Sequence, residues 1–576
     1  MDRRGRTDIR RGRRLELSPR VGVLPLPRRR PPRRPTARHT ARMQPIGDPE
    51  ELEALQARAT TLAGAWGAAA AAATSAGQER AVLRLFGVAG VDRAGRPLAA
   101  EVVDRWLTPD PRRLGGGISL PFAIAMAEYD LRPHELALEL AAGNVDLGLE
   151  AELLRESDRR AVAVSNAAAL ARAALERVDA NRIARRELLG LLGDPPRPWL
   201  GTTLRAPAIV DALDEARAAI DAGVELVRVD VPPTREFAER MARLGAPVES
   251  WRASDSSRGG LDTFDPAGPP IPTGSHRALS VLRRFVDEAG ARRRGYVRLA
   301  TDAPALAAPD QAVVAAFERI DLVVADPMRE IVAGRVDPDR ALADHVFAHR
   351  LLSRAGTRVL VPAGPLLVAP DLATGVPSGA ATRSGRALAL QLLAVALARR
   401  DGLAPEDVVI GALPDWLADE PDFAARAAAE IALRRALLPS HALAFLEPAM
   451  NDELGARWQA VVSALLPDAG DVVTILRRSH ATALATRGMA QAAASLRASR
   501  TPPELTGVAA AHANEAVIAA AQTLEALAER GWQALVDHPL GIRTAGTADA
   551  VAERADAFDP LAVQAVSRVQ GYAARA

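Results

Sequence analysis

Trp199-Leu200-Gly201-Thr202-Thr203-Leu204 is a short run of apolar and β-branched residues that ends at the polar Arg205. Ile209, Leu213, Ala216 and Ile220 follow at helical spacing, and Gly223 closes that pattern just before a second apolar run at 225–231. The unit reads strand, helix, strand, and it recurs. Further strand candidates lie at 296–301, 321–325, 358–361, 408–412, 442–446 and 472–476, and the stretches 339–355 and 381–400 have helical patterns. Eight such runs within about 280 residues suit a closed barrel better than an open doubly wound sheet. The expected class is α/β, a (β/α)8 TIM barrel, which places the chemistry at the C-terminal ends of the strands.

Outward from the barrel (196–485), three further regions are expected. Residues 43–195 read as a helical accessory region. In it, Glu79–Gly87 forms an amphipathic turn closed by glycine, and Pro133 opens a helix that ends near Gly143-Asn144. Residues 486–576 form a C-terminal helical extension with one long helix over 511–529. Residues 1–42 hold fifteen arginines against Asp2, Asp8 and Glu16, so the rest of a chain of net charge +2 carries about −10. This Pro- and Arg-rich arm is expected to be disordered. Translation upstream of a true start at Met43 is favoured over a transit peptide or a nucleic-acid arm, and no nucleic-acid partner is inferred.

All 73 basic residues are arginine and cysteine is absent. With no lysine, the chain cannot itself form an imine with an aldehyde or ketone. Without cysteine, disulfides, thiolate metal sites and a thiol nucleophile are excluded. No apolar run is long enough to span a bilayer, and a cytoplasmic protein is expected.

The residues at the strand ends are Arg205, Asp230, Asp302, Asp326, Glu447 and Arg477-Arg478. Asp230, Asp302 and Asp326 follow strands 2, 3 and 4 and form an acidic arc suited to an amine or a divalent cation, or else cap the helices that follow. Arg477-Arg478-Ser479 follows strand 8, where barrels bind phosphate at a helix start; the competing reading is an arginine-rich turn. Asp344, His345 and His349 fall at i, i+1 and i+5 on one helix, poor geometry for shared ligation, so packing or surface roles are expected. The long segment 246–274, with Gly259-Gly260, reads as a lid or binding loop.

Several segments resemble the large (alpha) subunit of lysine 5,6-aminomutase. They are Glu79-Arg80-Ala81-Val82-Leu83-Arg84-Leu85-Phe86-Gly87 with Gly90-Val91-Asp92, then Pro133-His134-Glu135-Leu136-Ala137, Gly143-Asn144-Val145-Asp146-Leu147 and Asn181-Arg182. Tyr296-Val297-Arg298-Leu299 and Glu318-Arg319-Ile320-Asp321 extend the similarity. The resemblance implies an isomerase dependent on adenosylcobalamin and pyridoxal phosphate that moves an amino group by a radical 1,2-shift on lysine or a related amino acid. It also implies a small beta subunit as partner, carrying the cobalamin domain and the imine-forming lysine. On this resemblance Asp326 matches an Asn-Asp step after strand 4, and Gly259-Gly260 keeps a glycine pair of the long loop. Cofactor binding falls to Arg235, Gly259, Gly260, Arg477, Arg478 and Ser479, and the substrate amine to Asp230, Asp302 and Asp326.

The contact positions depart from the family pattern. A Thr-Thr-Gly-Gln-Ser run after strand 2 is replaced by Val231-Pro232-Pro233-Thr234-Arg235-Glu236, and a tyrosine after strand 4 by Arg329. A lysine near strand 7 is replaced by Ala444, and an acidic loop after strand 5 by Pro362-Ala363-Gly364-Pro365. Three readings stay open. They are an aminomutase subunit with a rebuilt site, a barrel that kept the fold as a scaffold or regulatory subunit without catalysis, and a metal-assisted barrel enzyme built on the three aspartates.

Overall fold

The computed structural model describes residues 48–90, 97–229, 276–303, 306–332, 336, 338–364, 370–371, 376–377, 379–447, 458, 461–462, 472–477, 507–531 and 552–553. Eight parallel strands close into a barrel: β1 Trp199–Leu204, β2 Leu226–Val229, β3 Arg298–Asp302, β4 Leu322–Val324, β5 Arg358–Val361, β6 Val408–Gly411, β7 Ala442–Leu446 and β8 Val472–Arg477. Sequential neighbours pair all the way round, and β8 returns to β1 with Thr474 opposite Trp199. The eight runs expected from sequence are the eight strands observed; three have the same bounds and no end differs by more than two residues.

Side chains of alternating parity fill the barrel. Leu226, Ala300, Leu322, Leu360, Val409, Ala444 and Leu476 pack together inside it, with Trp199 in the same cluster. Gly201 is required there: a Cβ at that position would run into the Leu476 and Leu226 side chains. The interior is a solid core, and any ligand site lies above it.

Helices before the barrel are α1 Pro49–Ala72, α2 Ala76–Leu85, α3 Leu98–Leu107, α4 Ser119–Tyr129, α5 Pro133–Ala142, α6 Leu147–Leu153 and the 36-residue α7 Ser157–Leu192. Around and after the barrel come α8 Ile209–Asp221, α9 His276–Arg293, α10 Ala308–Phe317, α11 Pro327–Val332, α12 Pro338–Ala355, α13 Ala380–Arg400, α14 Phe423–Leu437 and α15 Gly507–Arg530. α1 and α2 pack on α12, α13 and α10, and α15 packs on α13, so these barrel helices are enclosed on both sides. Their alanine content follows from that enclosure, since small side chains let the axes approach. Gly385 marks the closest point, where a Cβ would meet the Ala516 carbonyl of α15.

Two polar joints fasten the outer helices. His512 of α15 holds Glu430 of α14 at 2.9 Å, and Glu430 also ion-pairs with the buried Arg434. Against the penalty of burial, Arg434 and His512 bring the Glu430 carboxyl down to about 2. At the other end of the barrel, Asn181 of α7 donates to the Ala316 and Phe317 carbonyls at the end of α10. Arg185 donates to the carbonyls of Gly356 and Ile320. These bonds satisfy carbonyls at and just beyond the C-terminal ends of α10 and α12. No described helix is long and apolar enough to cross a membrane.

Candidate functional site

The mouth of the barrel is the rim beyond the C-terminal ends of the strands. Arg228 shares the inward parity of Leu226 on β2, and its guanidinium meets Asp302 at the end of β3. Nε donates to Oδ1 at 2.8 Å and Nη2 donates to Oδ2 at 2.6 Å. This two-point match of planar groups makes Asp302 half of an ion pair across two strands. Asp326, two residues beyond β4, is buried and caps α11. Its Oδ1 accepts from the Met328 N–H at 2.9 Å, while its Oδ2 makes no hydrogen bond. Burial pushes the Asp326 carboxyl up to about 6, against the opposing pull of the Arg329 and Met328 N–H groups and of His345.

Behind Asp326 lies a buried polar set. Glu330 of α11 and His345 of α12 meet with Oε1 and Nε2 2.9 Å apart. Burial pushes Glu330 up to about 8 and His345 down to about 4. Near neutral pH the pair is a carboxylic acid donating to a neutral imidazole. His349, one turn further along α12, faces Asp401 at 3.3 Å, and its ring centroid lies 5.5 Å from that of His345. Oε2 of Glu330, Nδ1 of His345 and Nε2 of His349 are buried and without hydrogen-bond partners. On the outer side Asp344 accepts from Ser75 of the accessory region and from Nε of Arg340. Asp344, His345 and His349 are all buried, so of the two roles expected for them the surface role is excluded.

Two further charged groups sit on the rim. Arg329 is exposed. Asp415, just past β6, is solvent-accessible yet lies in a recess that desolvates it. Burial raises its carboxyl, and the charges of Arg329 and Arg228 oppose the rise. On the β7–β8 side Arg477 is buried, with Nη2 3.2 Å from Glu447 Oε1 and the guanidinium carbon 5.0 Å from the centroid of the Trp458 ring. Asp302, Asp326 and Arg477 are thus all at the mouth, each already engaged. Asp230, Arg235, Gly259, Gly260, Arg478 and Ser479 lie outside the described residues. Among the described residues no group of three or more His, Asp or Glu could hold a metal ion.

The rim of the mouth carries both signs of charge, cationic at Arg329 and acidic at Asp415. The sequence matches the family described as the D-lysine 5,6-aminomutase TIM-barrel domain of the alpha subunit over residues 48–234 and 273–469. The chain belongs to this family.

Lysine 5,6-aminomutase alpha subunits from Fusobacterium nucleatum and from Acetoanaerobium sticklandii are each 25% identical to it over 279 residues, which is 48% of this chain and 49% of each relative. The chain therefore spans about half the length of the curated relatives it matches. Among solved structures, dihydropteroate synthase from Yersinia pestis aligns with a TM-score of 0.30 and 15% identity over 53% of this chain and 95% of that one. The Coxiella burnetii dihydropteroate synthase aligns with a TM-score of 0.31 and 11% identity over 52% and 94%.

Within this aminomutase alpha-subunit barrel, sequence reasoning passed over Arg228, Glu330 and Asp415. A signal existed for Arg228: a charged residue two positions from Leu226 shares its inward face in a strand. Asp415 lies beyond a Leu413-Pro414 step, too far from the strand end to be read from it. Glu330 sits among ordinary helix residues, and nothing local marks it as buried.

Proposed function

We propose that the chain is the large subunit of an aminomutase dependent on adenosylcobalamin and pyridoxal phosphate, acting on lysine or a related amino acid. The observation that carries this reading is the family match across both the accessory helices and the barrel, in a chain without lysine. A chain without lysine needs a partner to hold an aldehyde cofactor as an imine, and the small subunit that the family implies supplies that lysine.

The described mouth fits an amino-acid ligand and the anionic part of a cofactor in one respect: Arg329 and Asp415 offer opposite charges on one rim. It offers no nitrogen for an imine. When bound, the cobalamin supplies a carbon radical and pyridoxal phosphate carries the migrating amine. This chain's own contribution is positioning and the exclusion of water. In this reading Asp326, with Asp302 and Asp230 beside it, faces the substrate amine. Arg235, Arg477, Arg478 and Ser479, with Gly259 and Gly260 on the long loop, hold the cofactor phosphate. Of that set Arg477 is held in place by Glu447 and Trp458. The metal-assisted reading draws no support from the described residues, where Arg228 neutralises Asp302.

The test is the absorption spectrum of this chain co-purified with the candidate small subunit, after adding both cofactors and desalting. Imine and corrin bands that persist are the expected result. A stable complex with neither band would leave the scaffold reading in its place.

Asp326→Asn gives a second test. The Oδ1 that caps Met328 is kept and the raised carboxyl is relieved, so at neutral pH the variant should be at least as stable as the native chain. Lysine affinity of the loaded complex should fall about tenfold or more, because a charge facing the amine is lost. Unchanged affinity in the folded variant removes Asp326 from the substrate site.

A further inference from the structure

The opposite, N-terminal end of the barrel holds an arrangement that the aminomutase reading does not use. Trp199 begins β1, is 1% exposed, and donates through Nε1 to the Pro195 carbonyl at 3.2 Å. Three guanidinium groups surround it. The carbon of Arg298 lies 3.3 Å from a Trp199 ring centroid, that of Arg358 at 5.2 Å and that of Arg197 at 5.5 Å. Arg298 comes from β3, Arg358 from β5 and Arg197 from the segment joining α7 to β1, so three separate pieces of chain bring cations to one indole.

The ring faces stabilise cations only modestly, and they neutralise no charge. Among the described residues Asp194, Asp407 and Asp321 act on this cluster, Asp321 being shared with Arg283 and Arg185. Asp194 binds one terminal nitrogen of Arg298, and Asp407 lies beside Arg358. The other terminal nitrogen of Arg298, Nη1, is buried and has no hydrogen-bond partner. Burial lowers Arg358 from the usual arginine range, and the charges of Arg197 and Arg298 lower it further. Asp407 is itself raised by burial, which weakens it as a counter-charge. With Asp321 already held by Arg283 and Arg185, the buried Nη1 of Arg298 is left without an acceptor, a costly state unless a ligand supplies one. Arg197 is exposed and Arg358 half-buried, so the cluster is open to solvent on their side.

We propose that Arg197, Arg298 and Arg358 form a binding site for a small tetrahedral oxyanion, such as phosphate, at the end of the barrel away from the mouth. Guanidinium groups present paired N–H donors that match phosphate oxygens, and the unpartnered Nη1 of Arg298 is the donor such a ligand would complete. The site stands whether or not the aminomutase reading does, since it shares no residue with the mouth.

The experiment uses the full chain and inorganic phosphate. Thermal unfolding is followed from 0 to about 20 mM phosphate at constant ionic strength set by chloride, alongside phosphate linewidth by phosphorus NMR. The expected result is a saturable rise in Tm and a line broadened by the protein. In the double variant Arg197→Gln, Arg358→Gln both responses should weaken at least tenfold in phosphate concentration, with the chloride baseline still cooperative. Arg329→Gln, at the opposite end, should leave both responses unchanged. Either an equal phosphate response in the double variant or no saturable response in the native chain overturns the assignment. Loss of the response in Arg329→Gln alone would place phosphate at the mouth instead and equally overturn it.

Discussion

Asp321→Asn is expected to lower the stability of the chain by about 3–5 kcal/mol, the range for removing one partner from a buried ion pair. Asp321 stands just before β4 and is 9% exposed. Its Oδ2 accepts from Arg283 at 2.9 Å and from the Leu299 N–H at 2.9 Å, and its Oδ1 accepts from the Tyr296 hydroxyl at 2.8 Å. Arg185 of α7 approaches Oδ1 at 3.7 Å. Burial opposes the charge on Asp321, yet Arg283, Arg185 and Arg298 hold its carboxyl below the usual carboxylate range. Asparagine keeps the shape but leaves two buried guanidinium groups facing an amide. Tyr296→Phe, which removes one hydrogen bond and no charge, should cost only about 1 kcal/mol. Urea unfolding of both variants checks the ranking; a loss under about 1 kcal/mol for Asp321→Asn would mean that α7 does not depend on this carboxylate.

The position of Asp321 bears on how the sequence could be read. Segments that resemble the aminomutase alpha subunit turn out to be the joints of the scaffold. Glu79 is fully buried, accepting from the Ile118 N–H at 2.7 Å and from Thr74 Oγ1 at 2.6 Å. Asn181 caps α10, and Glu318 faces His276 at 2.8 Å. Such residues carry strong local signals, because a buried carboxylate or amide in an apolar context has few tolerable replacements. The strands were legible for a similar reason. Alternating parity and glycine-closed helices are properties of neighbouring residues, and the barrel follows from repeating them.

The mouth was legible only in part. Asp302 and Asp326 stand at strand ends, where topology alone puts them, but their states depend on partners distant in sequence. Arg228 reaches Asp302 across 74 residues, and His345 reaches Glu330 from another helix. On α12 the choice between packing and surface roles stayed open for a physical reason. An amphipathic helix with polar residues at i, i+1 and i+5 normally turns them to water. Here α1, α2 and α10 cover the face that would be exposed, so Asp344, His345 and His349 are buried together. A sequence pattern reports which face is apolar; it does not report that an accessory region encloses the other face.

That enclosure makes the pH dependence of stability a strong test of the set behind Asp326, and Glu330→Gln isolates it. Glu330 is raised from the ordinary glutamate value to about 8 in the folded chain. Between about pH 4.5 and 8 the unfolded chain has lost this proton while the folded chain keeps it. Folding then binds a proton, and stability falls as pH rises through that window, by about 3–5 kcal/mol in total. Asp326, raised to about 6, adds to the same fall over its lower part. His345 acts in the opposite direction. Lowered to about 4, it stays neutral in the folded chain while the unfolded imidazole takes a proton below about pH 6.5, so its contribution is lost as pH falls from there toward 4. Above about pH 6.5 Glu330 is the only one of the three still titrating, so stability should decline from there to about pH 8. An amide in place of the Glu330 carboxyl is neutral at every pH, so Glu330→Gln should remove most of that decline. At about pH 8.5 the variant should be the more stable protein, an unusual outcome for a change at a buried hydrogen-bonded residue. Denaturant unfolding at half-unit steps from about pH 5 to 9 measures the decline, and parallel curves for the two proteins would show that Glu330 is ionised in the folded chain after all.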